Sequence, residues 1–105
     1  DKRERLPMAG NERLYIVTYD IGDPKRGRRV FKAMEGYGRW LQLSVFQCRL
    51  TPRRRAALGA RLDGLIKPSE DHVLIMDIGP AETVDLRIES LGRPFDTIRR
   101  EAIVV

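Results

Sequence analysis

The sequence is poor in the residues that build the commonest protein sites. Its 105 residues include one cysteine, one histidine and one tryptophan. One cysteine excludes an intramolecular disulfide framework, and neither a zinc-ligand spacing nor a phosphate-binding glycine loop is present. No run approaches the ~18 consecutive apolar residues of a membrane-spanning helix. We therefore expect one cytoplasmic domain without a membrane anchor, of a size that gains stability from dimerisation.

Basic charge, in contrast, is abundant and unevenly distributed. The chain has a net charge of +5, with sixteen arginines and four lysines. Residues 14–66 carry eleven basic and four acidic side chains, whereas residues 67–105 carry five basic and eight acidic ones. This asymmetry favours a polyanionic partner such as a nucleic acid, although an arginine-rich genome would also raise the arginine content.

The first half of the chain predicts a strand, a helix and a second β segment. Leu14–Tyr19 is apolar and β-branched, which is typical of a strand buried on both faces. Asp23 then fits a helix N-cap with proline at the next position, and two glycines near residue 37 fit the helix end. The run Arg39–Leu50 predicts either one long bent strand or two short strands joined near Gln42–Ser44.

The second half repeats the pattern. Thr51 predicts the N-cap of a second helix, again with proline following, and Pro68 marks a position beyond its end. Residues 72–79 predict another buried strand. Alternating apolar and charged side chains predict a half-exposed strand over residues 84–89, and "REAIVV" predicts a terminal β segment.

This order of elements predicts an α+β fold, the ferredoxin-like βαββαβ sandwich, with both helices on one face of an antiparallel sheet. An extra C-terminal strand completes the expected architecture. We expect a disordered leader over residues 1–13, the ferredoxin-like domain over residues 14–91, and a tail over residues 92–105 that ends in the strand.

Both predicted helices begin with positive charge, which opposes the helix dipole. A bound phosphate would turn this cost into a gain, because amides and guanidinium groups would converge on it; a solvated charged face is the alternative. We expect the strands leading into the two helices to run parallel, which would place both clusters and Asp20 on one rim of the sheet. The predicted nucleic-acid-binding residues are Lys25, Arg26, Arg28, Arg29, Arg53, Arg54 and Arg55.

Asp20 ends the first predicted strand and is the candidate catalytic and metal-binding residue. The alternative is that the Asp20 carboxylate only caps backbone amides in the turn. Asp23 is expected to be the helix cap. Magnesium prefers one or two carboxylates together with waters and phosphates, so two copies of Asp20 in a two-fold dimer would complete a site that one chain lacks. Cys48 is expected in the core and His72 at the surface.

Three motifs in order resemble the Cas-two family, the small CRISPR-associated adaptation proteins. The first is a strand ending in Tyr-Asp-Ile, followed by a short acidic turn and a basic helix start. The second is "YG", followed by "LQLSVFQCRLT", and the third is "HVLIMDIG" after a second helix. The resemblance covers residues 14–79 well and the tail more loosely. One departure is Gln47, which stands where the family often has an acidic residue.

The resemblance implies a ferredoxin-like homodimer in which the terminal strand joins the partner's sheet. It also implies that Asp20 from each subunit holds Mg²⁺ or Mn²⁺ for an endonuclease acting on single-stranded RNA or duplex DNA. In spacer acquisition such a dimer bridges integrases of the Cas-one type. Two alternatives remain open: a toxin-like ribonuclease of the VapD type, and a non-catalytic adaptor that only binds duplex DNA.

Overall fold

The structure, a computed structural model, describes residues 11–93. Within that range the chain alternates strands and helices in the predicted order. The expected terminal strand and the first ten residues of the expected leader lie outside the described residues. The elements are β1 (Arg13–Asp20), α1 (Pro24–Glu35), β2 (Arg39–Gln42), β3 (Val45–Leu50), α2 (Pro52–Leu65) and β4 (His72–Pro80).

The strands form one antiparallel sheet in the order β2-β3-β1-β4. β1 lies in the interior of the sheet, where Arg13 pairs with Leu50 of β3 and Asp20 pairs with His72 of β4. Both helices contribute side chains to one hydrophobic core against the sheet. This arrangement confirms the predicted ferredoxin-like fold. β1 begins at Arg13, one residue before the predicted domain boundary.

The helix starts follow their local sequence signals. The Asp23 carboxylate accepts a hydrogen bond from the Arg26 amide at 2.9 Å, and the Thr51 hydroxyl accepts one from the Arg54 amide at 3.2 Å. A proline occupies the first helical position in both cases, where no amide donor is needed. Neither helix in the described part of the chain is long and apolar enough to cross a bilayer.

The β segment after α1 is a hairpin of two short strands, which decides between the two predicted alternatives. Gln42 pairs with Val45, so Leu43 and Ser44 form the turn. Leu43 has φ of 43°, in the left-handed region that glycine and asparagine adopt most readily. The Trp40 indole N–H donates to the Leu43 carbonyl at 2.8 Å and fixes this turn.

The two glycines after α1 have different roles. Gly36 caps the helix with φ of −79°, which any residue can adopt. Gly38 lies against β3, where an added Cβ would stand 2.5 Å from the Cys48 sulfur and 2.5 Å from the Gln47 carbonyl oxygen. A glycine is therefore required at residue 38, because the chain before β2 packs closely against β3.

The core lies between the two helices and one face of the sheet. Cys48 is fully buried in it, and burial raises the pKa of its thiol to about 11. Its predicted role in core packing is confirmed. Phe31 packs edge-on against the Trp40 and Phe46 rings, at centroid distances of 6.0 and 5.3 Å. The fully enclosed side chains include Val17, Val30, Met34, Phe46 and Leu58.

The opposite face of the sheet is open among residues 11–93. In β4, Val73 and Ile75 pack against the core, and the alternate residues point the other way. Leu74, Met76 and Ile78 are consequently 47%, 41% and 40% exposed. β4 thus presents an apolar stripe on the face that carries no helix; we call this the open face.

Residues 84–89, which the alternating pattern predicts to be a strand, pair with no strand of the described chain. The amides of Thr83 and Val84 donate to the Pro80 carbonyl, so the chain turns at the end of β4. An alternating pattern indicates which side chains point in the same direction, but a strand also needs a neighbouring strand to pair with.

Candidate nucleic-acid interface

Asp20 is the last residue of β1, and its side chain is exposed. Its carboxylate has no hydrogen-bond or ion-pair partner within residues 11–93. The alternation of β1 places Asp20 on the open face, on the same side as Thr18. His72 lies directly opposite in β4, at the separation of about 5 Å that is typical of cross-strand neighbours.

The loop after Asp20 is held by a buried carboxylate that the sequence did not reveal. Asp71, just before β4, has a fully buried side chain. It accepts hydrogen bonds from the Gly22 amide at 2.8 Å and the Lys67 amide at 2.6 Å. The Arg26 guanidinium donates to both of its oxygens, at 2.6 and 2.9 Å. Asp71 therefore connects the β1–α1 loop, the first turn of α1 and the α2–β4 loop; we call this group the Asp71 clamp.

The charges around the clamp are mutually satisfied. The Arg26 guanidinium holds the pKa of the Asp71 carboxyl well below its usual range, and the amides of Lys67 and Gly22 act in the same direction against the effect of burial. The Lys67 ammonium and the Arg26 guanidinium lower the pKa of the exposed Glu70 carboxyl. Since Asp23 caps α1, Asp20 is the carboxylate at this end of the sheet that has no partner among the described residues.

The first basic cluster divides into one structural arginine and three exposed cations. Arg26 is half-buried and belongs to the clamp, with a further contact to Glu70 at 3.1 Å. Lys25, Arg28 and Arg29 are exposed and have no ion pair with any residue of the described range. These three side chains are free to contact phosphate, whereas Arg26 stabilises the loop beside them.

The second cluster divides in a similar way. Arg54 donates to the Gly36 carbonyl at 2.6 Å and lies over the Tyr37 ring, 4.5 Å from its centroid. Its cation thus stabilises the negative end of the α1 dipole. Arg55 lies 5.7 Å from the centroid of Tyr15. Arg53 is exposed and has no ion-pair partner in the described structure.

The prediction that both clusters and Asp20 share one rim is wrong. β1 and β3, which lead into α1 and α2, are adjacent and antiparallel, because Arg13 pairs with Leu50 and Thr18 with Val45. Their carboxyl ends lie at opposite ends of the sheet. β1 has eight residues, so at ~3.3 Å per residue these ends are roughly 23 Å apart. Lys25, Arg28 and Arg29 accompany Asp20, and Arg53 lies at the far end.

An open cleft of about 350 Å³ lies beside Asp20, between the β2–β3 turn and the first turns of α1. Burial, followed by the nearby Glu35 carboxylate, raises the pKa of Tyr19 in the cleft wall to about 12, so its hydroxyl stays neutral. Sequence reasoning missed this cleft, because its walls come from three elements. It is lined by Tyr19, Asp20, Ile21, Pro24, Gly27, Arg28, Phe31, Trp40, Leu43 and Ser44.

The residues of one chain fit a divalent metal ion only as part of a site. No group of three or more His, Cys, Asp or Glu side chains that could hold a metal occurs in residues 11–93. Asp20 offers one hard oxygen ligand without a competing partner, and His72 lies across from it. Magnesium commonly takes one or two carboxylates and completes its shell with water and phosphate, so Asp20 fits as one contributor to a shared site.

The model of the family CRISPR associated protein Cas2 matches residues 13–84. A protein of Rhodospirillum rubrum named CRISPR-associated endoribonuclease Cas2 1 is 57% identical over 94 residues, covering 90% of this chain and 92% of that protein. A CRISPR-associated endoribonuclease Cas2 of Geobacter sulfurreducens is 52% identical over 94 residues, covering 90% of this chain and 99% of the relative.

Solved structures agree with the sequence comparisons. The crystal structure of Streptococcus pyogenes Cas2 superposes with a TM-score of 0.66 at 32% identity, covering 75% of this chain and 99% of that one. A second crystal structure, described as cas2, gives a TM-score of 0.65 at 34% identity, covering 78% of this chain and 88% of the other. The order of motifs, the fold and these similarities lead to one conclusion: the chain belongs to the CRISPR-associated Cas2 family.

Proposed function

We propose that the protein is a homodimeric, nucleic-acid-binding component of CRISPR adaptation that bridges Cas-one-type integrases. We further propose that it cleaves phosphodiester bonds with Mg²⁺ or Mn²⁺ held by Asp20 of each subunit. The observation that carries the binding function is the set of exposed cations at the two helix starts, which have no partner among residues 11–93. Relatives named as endoribonucleases support the cleavage function.

The positions of the cations suit an extended ligand. Lys25, Arg28 and Arg29 lie at one end of β1, and Arg53 lies roughly 23 Å away at the other, by the rise of ~3.3 Å per strand residue. At 3.4 Å per base pair this separation corresponds to about seven base pairs of duplex. Cations at both ends can therefore contact phosphates along one duplex.

A second copy of the chain is the proposed occupant of the open face. Leu74, Met76 and Ile78 present an apolar stripe there, and a contiguous exposed apolar surface is typical of an interaction site. Asp20 lies at the end of the same face. Pairing two open faces around a two-fold axis would bury the stripe and give each Asp20 a symmetry-related counterpart.

The chemistry then follows from the residues at this end of β1. Bound Mg²⁺ would supply an activated water and polarise the phosphodiester. Asp20 supplies a carboxylate ligand, and Arg28 is positioned to bind a phosphate oxygen through a charge-assisted hydrogen bond. The Asp71 clamp holds the loop between them, so that neither side chain depends on a mobile backbone.

The cleavage function is tested with Asp20→Asn, compared with Asp63→Asn, which changes an exposed carboxylate on α2. We expect Asp20→Asn to reduce Mg²⁺-dependent cleavage of single-stranded RNA or duplex DNA by about 100-fold, the upper end of the loss caused by changing a residue that only supports a metal ligand. Asp63→Asn should retain the wild-type rate. Cleavage that survives both Asp20→Asn and EDTA would exclude the metal mechanism.

The non-catalytic adaptor remains a second candidate, favoured by the contrast at this end of the sheet between three exposed cations and a single carboxylate, Asp20, without a partner among residues 11–93. In that case Asp20→Asn leaves duplex binding unchanged, and the purified wild type shows no metal-dependent cleavage. Co-purification of a Cas-one-type integrase with the tagged protein tests the bridging role in either case. If no integrase co-purifies with the tagged wild-type protein, the bridging role is contradicted.

A further inference from the structure

We propose that the cleft between the β2–β3 turn and α1 binds one unstacked nucleobase, with the attached phosphate at Arg28. This inference rests on the proposed nucleic-acid-binding function and adds a specific site to it. The exposed cations at the helix starts would bind backbone phosphates whatever the base sequence. The cleft, in contrast, would bind a single base that is no longer stacked on its neighbours.

The exposure and the backbone conformation of Leu43 indicate a ligand at the cleft. Its side chain is 76% exposed at the tip of the hairpin, and its backbone has φ of 43°. A glycine or asparagine would fit this turn without steric cost. A leucine side chain exposed to solvent buries little apolar surface, so it adds little to the stability of the fold. A locally unfavourable residue held in place by the surrounding structure is characteristic of a functional site. The hydrogen bond from Trp40 to the Leu43 carbonyl keeps the tip beside the cleft.

The shape and lining of the cleft suit a flat aromatic ligand. Its volume of about 350 Å³ falls at the small end of the range of ~300–1,000 Å³ that is usual for small-molecule sites. Phe31 and Trp40 lie in its floor: Phe31 is half-buried and fixed by edge contacts with two other rings, and Trp40 is buried behind it, so the stacking surface is the exposed part of Phe31. Aromatic and apolar side chains offer faces on which any base can stack, with little dependence on its identity.

The charge at the cleft favours a nucleotide over an apolar peptide. Asp20 and Arg28 are the two charged residues of the lining; the alternation of β1 directs the Asp20 side chain to the open face, whereas Arg28 is exposed and has no ion-pair partner in the described range. Lys25 and Arg29 add positive charge on the same helix start. A ligand with an apolar face and an attached anion satisfies both the walls and Arg28, and a base with its 5′ phosphate has this composition.

Trp40 allows a direct test, because it is the single tryptophan of the chain and lines the cleft. AMP should quench its fluorescence saturably, and ribose 5-phosphate, which has the phosphate without the base, should not. Leu43→Gly should weaken AMP binding by about tenfold, because the base loses apolar contact with the leucine side chain. It should leave thermal stability equal or higher, because glycine relieves the turn. The control Leu91→Gly changes another highly exposed leucine, away from the cleft, and should bind AMP as the wild type does.

A DNA duplex with a single-nucleotide bulge links the cleft to the proposed function. Wild type should bind the bulged duplex more tightly than the fully paired one, and Leu43→Gly should abolish this preference while retaining affinity for the paired duplex. Arg28→Gln should weaken AMP binding, with Arg61→Gln on α2 as the control. Equal quenching by AMP and ribose 5-phosphate, or equal AMP affinity of Leu43→Gly and Leu91→Gly, would overturn the inference.

Two further results separate the possible failures. If AMP binds in the cleft but no duplex is retained, the general nucleic-acid function is wrong and the cleft assignment stands. If Leu43→Gly changes the oligomeric state and AMP does not bind, Leu43 is a contact between copies of the chain and the cleft assignment is wrong.

Discussion

Arg26 and Asp71, 45 residues apart in the sequence, form a bidentate ion pair in which the guanidinium donates to both carboxylate oxygens at 2.6 and 2.9 Å. Because the same carboxylate accepts the Gly22 and Lys67 amides, the pair joins the loop that follows Asp20 to the start of β4. Arg26, one of the predicted nucleic-acid-binding residues, thus stabilises the fold instead.

Asp71→Asn should destabilise the fold, because it removes the buried counter-charge of Arg26 and leaves only the exposed Glu70 carboxylate paired with it. We expect the thermal midpoint to fall by about 10 °C or more at neutral pH, the scale of a broken buried ion pair in a small domain. Asp63→Asn, at an exposed position on α2, should leave the midpoint unchanged. Equal midpoints for the two variants in thermal denaturation would contradict this role of the clamp.

The same pair gives a pH dependence of known sign. The folded pKa of Asp71 lies below the ordinary aspartate value of about 4, so its contribution is complete above that value and is lost as the pH falls towards the folded pKa. The stability difference between wild type and Asp71→Asn should therefore shrink on acidification below about pH 4. A difference that grows on acidification, measured by urea denaturation across pH, would contradict the assignment.

Gly38 and Gly64 should respond oppositely to alanine. An added Cβ at Gly38 meets the Cys48 sulfur and the Gln47 carbonyl, so Gly38→Ala should cost about 1–3 kcal/mol of unfolding free energy through overpacking. Gly64 lies in α2 with nothing within 4 Å of an added Cβ, so Gly64→Ala should gain about 0.5–1 kcal/mol. Chemical denaturation checks both, and a stabilised Gly38→Ala would refute the close packing.

Met76→Glu should convert the proposed homodimer to a monomer. A charge in the middle of the apolar stripe would be desolvated without a partner when two open faces meet. Sedimentation or size-exclusion chromatography with light scattering measures the mass, and Lys32→Glu on the exposed side of α1 provides the control. A dimer that persists in Met76→Glu would place the interface elsewhere.

Arg29→Gln and Arg53→Gln should weaken duplex binding independently. Their strand ends are roughly 23 Å apart, from the rise per strand residue, and the Debye length is ~8–10 Å at physiological salt. Each loss should be about 3- to 10-fold, from the release of fewer counterions, and the double variant should show their product. Strong non-additivity in a titration series would support a shared rim instead.

The local elements of this fold could be predicted because their signals are local. Asp23 and Thr51 cap helices with proline following, and the caps form as expected. The buried position of Cys48 also follows from its apolar strand. The sequence does not decide whether residues 39–50 form one strand or two, since Leu43 is an unusual residue for a left-handed turn position.

The arrangement of the site depends on long-range pairing, which the sequence does not display. The prediction of a shared rim is wrong because the direction of β3 relative to β1 is set by the whole sheet and cannot be inferred from either helix start. Asp71 and His72 were missed for the same reason. Their partners, Arg26 and the facing strand end at Asp20, are about fifty residues away in the chain. The available signal for the clamp was the position of Asp71, the last residue of "PSED", directly before β4.

The salt dependence of duplex binding tests the central claim most directly. At the two helix starts, four exposed cations have no ion-pair partner among residues 11–93: Lys25, Arg28, Arg29 and Arg53. They allow up to eight phosphate contacts in the proposed homodimer, so the slope of log affinity against log salt should approach about −7. The double variant Arg28→Gln/Arg53→Gln should make this slope less steep by about 3.6, because four contacts per dimer are lost. Arg61→Gln should leave it unchanged, and Asp20→Asn should not weaken binding. Binding that is insensitive to salt, or a slope equal in the double variant and the wild type, would contradict the account.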